Sequence, residues 1–242
     1  MNTYFKYSIV TGICALLCAP ATQAQDEEQD GPWSAKAGLG YLATSGNTDT
    51  SSLNTSFEVG YKVGNWQHGL DGSAINSSEN NVKTAGAYEL GWKSARNMTE
   101  HDFLAGRINW REDQFGAYRT QLSETINYGR RIINSDAHRL NAEVGLGGRQ
   151  SELRTGIEEE EFIVRGGLSY TWILSESAEF NQDFVVEAGD KNTYLESVTA
   201  LRAKLVGSLA LVASFTVKNN SDVPVATENM DTFTALSIEY TY

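Results

Sequence analysis

The chain has 242 residues and a formal net charge of −12, which excludes the basic surface that a general nucleic-acid binder needs. Hydrophobic residues make up 40% of it and the mean hydropathy is −0.36, too polar for a bundle of membrane helices. With 22 glycines and 3 prolines, the composition suits one strand-rich domain.

The N-terminus reads as an export signal. Lys6 gives a basic start, and Ile9 to Cys18 is an apolar run of about ten residues, too short to span a bilayer as a helix. Thr22-Gln23-Ala24 offers small residues for cleavage, so residues 1–24 are expected to be removed. Leu17 stands where a lipoprotein needs a small residue before its modified Cys18. Cys14 and Cys18 both lie in this segment, so the mature chain is expected to have no disulfide, thiol nucleophile or thiolate metal site. Residues 25–32 (QDEEQDGP) form an acidic periplasmic linker, and residues 33–242 are left for the folded part.

From Trp33 onward the pattern is strand, turn, strand, with no helical period. Trp33, Ala35, Ala37, Leu39 and Tyr41 alternate with Ser34, Lys36, Gly38 and Gly40. The stretch Ser45 to Thr50 (SGNTDT) suits a turn and carries no evident chemistry. Leu53, Phe57, Val59, Tyr61 and Val63 mark a second strand, ending at a tight turn at Gly64-Asn65. The third, around His68 to Asn76, has the weakest pattern. Tyr88, Leu90 and Trp92 mark the fourth, Leu104, Ile108 and Trp110 the fifth, and Leu122, Ile126 and Tyr128 the sixth. In the seventh, Leu140, Ala142, Val144 and Leu146 alternate with Arg139, Asn141, Glu143, Gly145 and Gly147. The eighth runs from Phe162 to Leu174, and the ninth carries Phe180, Phe184 and Val186. The tenth lies near Tyr194 to Lys204, the eleventh near Leu209 to Lys218. In the last strand Leu236, Ile238, Tyr240 and Tyr242 share one face.

Twelve strands is an even number, as bacterial barrels require. No stretch after the signal is apolar enough for a membrane helix, so a spanning form must be a closed barrel. Three patterns turn the apolar face outward. Aromatic residues cluster near strand ends, the polar face carries glycines beside long charged residues, and connections alternate in length. Those near Gly64, Ile133, Ser175 and Gly207 are short. Those near Ser45, Asn76, Asp113, Ser151 and Ser221 read as longer and more polar. The fold predicted is therefore all-β: an antiparallel transmembrane outer-membrane β-barrel of about twelve strands, with both termini periplasmic. Glu124 falls on the lipid face of this register, which is costly at mid-bilayer.

Two resemblances refine this reading. The ending TFTALSIEYTY resembles the C-terminal sorting signal of bacterial outer-membrane proteins, with Tyr242 in place of the usual Phe. That implies recognition by the barrel-assembly machinery during insertion, then contact with outer-membrane lipid and lipopolysaccharide. The segment Ile108 to Arg149 holds Arg111, Asp113, Phe115, Arg119, Tyr128-Gly129-Arg130 and the Gly145–Arg149 run. With Ser45-Gly46-Asn47-Thr48 and the aromatic last strand, it resembles the salt-induced outer-membrane protein family of the YdiY type. The resemblance implies a barrel in the Gram-negative outer membrane. The family has no established activity, so it lends no catalytic residues.

The charged lumen is the main candidate site. Arg107, Arg111, Arg119, Arg149 and Arg165 form a basic sector on the polar face. Glu179, Asp183 and Glu187, with Glu196, form an acidic one. Opposed sectors across a wet pore would select small polar or ionic solutes. The same residues could instead pair between strands and fill a narrow barrel, giving a non-conducting structural or stress-response envelope protein. Glu158 to Glu161 reads as an acidic loop, better solvated than holding a cation, since it lacks spaced ligands and a turn glycine. A lipid hydrolase would need a Ser beside a His base. His68, His101 and His138 all fall beside periplasmic turns, with no adjacent Ser-His-Asp/Asn arrangement. No enzyme activity, metal or cofactor is expected.

Overall fold

The computed structural model describes residues 31–44, 50–225 and 227–242. The signal segment, most of the acidic linker and Ser45 to Asp49 lie outside the described residues.

Alternating side chains and frequent β-branched or aromatic residues give twelve strands among the described residues, and no helix. They are β1 (Trp33–Thr44), β2 (Thr50–Val63), β3 (Trp66–Glu79), β4 (Val82–Asn97), β5 (Asp102–Asp113) and β6 (Tyr118–Asn134). Then follow β7 (His138–Leu153), β8 (Glu158–Ser175), β9 (Ala178–Gly189), β10 (Thr193–Val206), β11 (Leu209–Asn220) and β12 (Met230–Thr241). Each pairs antiparallel with its neighbours in sequence, and β12 pairs with β1 to close the barrel. Closure leaves no unpaired sheet edge of the kind that recruits other chains. The closing ladder is short, running from Lys36–Thr241 to Leu39–Ile238. Two bonds between the Ala35 and Tyr242 backbones, of 3.0 and 2.8 Å, continue it toward the end where the chain terminates.

The apolar face points out. Leu236 is 60% exposed, and Leu39, Val144, Leu146, Phe162, Ile238, Tyr240 and Tyr242 are exposed with it. The alternate positions point inward. On β6 these are Gln121, Ser123, Thr125 and Asn127, all buried. A soluble barrel would show the reverse. Glu124 faces outward, as the register expected. It lines an outer-surface groove with Leu122, Gly148, Gln150, Glu160 and Phe162.

Near the terminal end the inner wall carries a small apolar cluster of Ala95, Phe103 and Ala105. The Phe103 ring lies beneath the Lys93 ammonium at 4.9 Å and the Arg131 guanidinium at 5.2 Å. An aromatic face is an effective uncharged partner for such cations.

The five connections at the end where β1 begins and β12 finishes, the terminal end, are residues 64–65, 98–101, 135–137, 176–177 and 207–208. The opposite, far end has connections 80–81, 114–117, 154–157, 190–192 and 221–229, besides the one after β1. Two expectations fail here. The connection expected near Asn76 is not long: β3 and β4 continue to a two-residue turn at Asn80-Asn81. Both residues are left-handed, with φ of 48° and 63°, which matches a type I′ hairpin, where Asn is among the few tolerated side chains. The four glutamates from Glu158 are no loop either. They begin β8, with Glu161 buried and facing inward.

The turn gives a direct test. Asn81→Gly should keep the barrel's stability, whereas Asn81→Val should lower it by about 1–2 kcal/mol, the cost of a left-handed conformation for an ordinary side chain. Urea unfolding of both variants in detergent micelles checks this.

Candidate functional site

The inward residues of β4 to β11 form one charged network. Its centre is Glu187 on β9, which is 0% exposed. Arg111 on β5 donates to both of its oxygens, at 3.1 and 3.3 Å, although three strands separate β5 from β9. The Ser123 hydroxyl on β6 donates at 3.1 Å. Arg149 on β7 lies 3.7 Å away and Arg165 on β8 lies 4.0 Å away. Four strands thus converge on a carboxylate of a fifth. A buried carboxylate stays ionised only when paired and hydrogen-bonded in this way.

A second carboxylate repeats the pattern nearer the terminal end. Glu143 on β7 accepts two bonds of 2.9 Å from Arg107 on β5. Lys93 on β4 reaches it across β5 and β6, and Arg165 lies 3.6 Å away. Arg149, 1% exposed, also holds Glu161 at 2.6 Å and the Asn192 carbonyl.

A wider crossing joins Lys218 on β11 to Glu89 on β4. Four strands separate them by the shorter way round, so this pair spans the lumen. Beside it the Arg111 guanidinium sits 4.2 Å from the Tyr194 ring centroid, again crossing from β5 to β10. The Tyr194 hydroxyl donates to Glu196 at 2.9 Å. Arg111, Glu187 and Lys218 each lie two residues from the far end of their strands.

These crossings narrow the interior. Below them are cavities of about 200 Å³ and about 220 Å³. On the far side, next to Glu89, Arg111, Tyr194 and Lys218, the space falls to about 40 Å³. Toward the terminal end the lumen is open, and Lys36, Glu58, Asp71 and Asp183 are exposed to it.

The structure therefore brings Arg107, Arg111, Arg149, Arg165 and Glu187 together. Asp183 shares their cavity without pairing with them. Glu179 is elsewhere, 3.9 Å from Arg139 near the terminal end. Arg119 is a correction: an irregularity in pairing between Tyr118 and Thr120 turns it out of the lumen. Its side chain is 64% exposed and meets Glu152 at 3.4 Å on the outer surface. The picture of two opposed sectors across water is also corrected, because Glu187 and Glu143 sit among the arginines. Sequence reasoning missed Glu89, Lys93, Glu143, Tyr194 and Lys218 as network members. Their inward parity was legible on β7 and β4, but which strands meet across the lumen was not.

Among the described residues a serine hydroxyl meets a histidine ring on the outer face, Ser94 Oγ and His68 Nδ1 at 2.9 Å. The ring stacks near Trp66 and Tyr61. Among the described residues nothing hydrogen-bonds the other ring nitrogen, the place an orienting acid takes in a triad.

Comparison with known proteins then places the chain. The family described as "Protein of unknown function, DUF481" matches residues 37–242. The chain belongs to this family. The "Uncharacterized protein YdiY" of Escherichia coli (strain K12) is 32% identical over 236 residues, covering 95% of this chain and 93% of that protein. Among solved structures, the chain is similar to a KdgM porin, with a TM-score of 0.46, 9% identity, and 86% and 99% of the two chains covered. It is also similar to the translocator domain of the autotransporter NalP from Neisseria meningitidis, with a TM-score of 0.48, 13% identity, and 87% of each chain covered. These distant likenesses carry no argument about what the DUF481 chain does.

The network makes a stability prediction. Glu187→Ala strands Arg111 and takes one partner from Arg149 and Arg165 in a closed space, so it should destabilise the folded barrel by about 3–5 kcal/mol. Arg119→Ala removes an exposed pair and should change stability by less than about 1 kcal/mol. Urea midpoints of the two variants, measured in the same micelles, should differ accordingly.

Proposed function

We propose that this chain is a Gram-negative outer-membrane barrel, with its termini in the periplasm and its lumen closed toward the outer end by ion pairs. On this reading it is a structural envelope barrel and not an open pore. The outward apolar belt supports the membrane assignment, because a closed barrel with apolar residues outside and polar residues inside is the form that faces lipid. Outer-membrane lipid, lipopolysaccharide and the barrel-assembly machinery are its proposed partners. The closure itself is carried by one observation. The Lys218–Glu89 pair and the Arg111 contacts cross the lumen, and the free space falls there to about 40 Å³.

A second reading, a narrow passive pore for small ions, is supported by the exposed Asp71 and Asp183 and by the two cavities at their level. Fold does not separate the two, since the same architecture hosts both. Catalysis is not proposed, because the Ser94–His68 contact lacks an orienting acid.

Planar-bilayer recording decides between them. The wild-type protein should show no discrete conductance steps. Glu89→Ala combined with Lys218→Ala removes the bar without stranding a charge, and should produce them. Ohmic steps from the wild type, unchanged in the double variant, would establish the pore reading instead.

A further inference from the structure

Arg165 is the group in the network whose needs are not met. It is 4% exposed, yet its Nε and Nη1 make no hydrogen bond. The nearest carboxylate oxygens, on Glu187 and Glu143, are 4.0 and 3.6 Å away and are already held by Arg111 and Arg107. A buried guanidinium with unused donors is rare in folded proteins and calls for an acceptor.

The same cavity of about 200 Å³ holds the opposite deficiency. Asp71 has no hydrogen bond or ion pair among the described residues, and Asp183 has no ion pair. Both are exposed to the lumen. The remaining charges on the wall are matched: Arg107 to Glu143, Arg111 to Glu187 and Glu89 to Lys218. Glu196 accepts the Tyr194 hydroxyl.

Two glycines keep the space clear. A Cβ on Gly167 would lie 3.0 Å from the Arg165 Nη1, so that guanidinium lies along its own strand toward the level of Asp183. A Cβ on Gly91 would lie 2.6 Å from the Asp71 carboxylate, which rests against the wall in the same way. Charged heads that lie flat on the wall leave a gap between them.

We propose that this cavity binds a small zwitterion of amino-acid size, its carboxylate on Arg165 and its ammonium on Asp71 and Asp183. A simple anion is disfavoured by the two aspartates, and a simple cation by the arginines around them. The opening at the terminal end gives access, so binding does not require a conducting lumen.

Calorimetric titration of the purified mature barrel in detergent tests the site, with L-alanine and 4-aminobutyrate as probes. Acetate and ethylammonium serve as the single-charge halves. At least one zwitterion should bind, and more tightly than either half. Arg165→Gln and Asp183→Asn should each weaken it by about tenfold or more, as expected for a lost hydrogen bond to a charged group. Arg165 also braces the network, so each variant is first checked for the heat-modifiable gel mobility of a folded barrel. If Arg165→Gln fails to fold, Asp183→Asn, at an exposed residue without an ion pair, decides. Binding of neither zwitterion would overturn the proposal. So would acetate binding as tightly as the zwitterions, or unchanged affinity in Asp183→Asn. None of these outcomes bears on conductance, so the site and the closed lumen fail separately.

Discussion

Glu187 is the carboxylate on which the interior of this barrel depends. Once the apolar side chains of the twelve strands point outward, the alternate, mostly polar positions must be accommodated inside a narrow tube. Glycine and serine leave part of that volume empty, and long charged side chains fill the rest. A carboxylate shut away from water is tolerated only with donors on most of its lone pairs. Glu187 obtains them from β5, β6, β7 and β8, and so ties together strands that are not neighbours. Ladder hydrogen bonds fix each strand to the next. The charged network fixes the cross-section, and with it the shape of the space that remains.

That space is unequal along the axis. Toward the far end the pairs interlock and little volume is left. Toward the terminal end the charges are exposed, and several are unmatched. The asymmetry follows from placement: Arg111, Glu187 and Lys218 all sit two residues from the far ends of their strands. The narrowing there is built from side chains of the wall. Asp71, Asp183 and the under-bonded Arg165 lie below that closure. The cavity they share differs chemically from the pairs above it.

Much of the fold was legible in the residues. Period-two alternation gave the strands, their faces and their number, because a one-residue slip would reverse every side chain. Leu236, Ile238 and Tyr240 on the outside and Ser237 and Glu239 on the inside show how strong that constraint is. Two local errors have distinct causes. The weak pattern of β3 hid its true end, since Asn80-Asn81 reads as loop polarity although it is hairpin geometry. The run from Glu158 looked solvated because all four residues are charged. The inward two belong to a wall where Arg149 offsets Glu161. The site was legible only as a face. Parity placed Arg107, Arg111, Arg149, Arg165 and Glu187 inside. It could not show that Arg111 reaches past three strands, because that depends on side-chain length and barrel cross-section together. Arg119 was lost to an irregularity that parity does not register.

The central claim is that ion pairs between distant strands meet across the lumen. A double-mutant cycle on Arg111→Ala and Glu187→Ala, read as unfolding free energy in micelles, measures it most directly. The account predicts a coupling energy of about 1–3 kcal/mol, beyond what independent sites show. Effects that add within about 0.5 kcal/mol would contradict it, because the two residues would then not meet across the barrel.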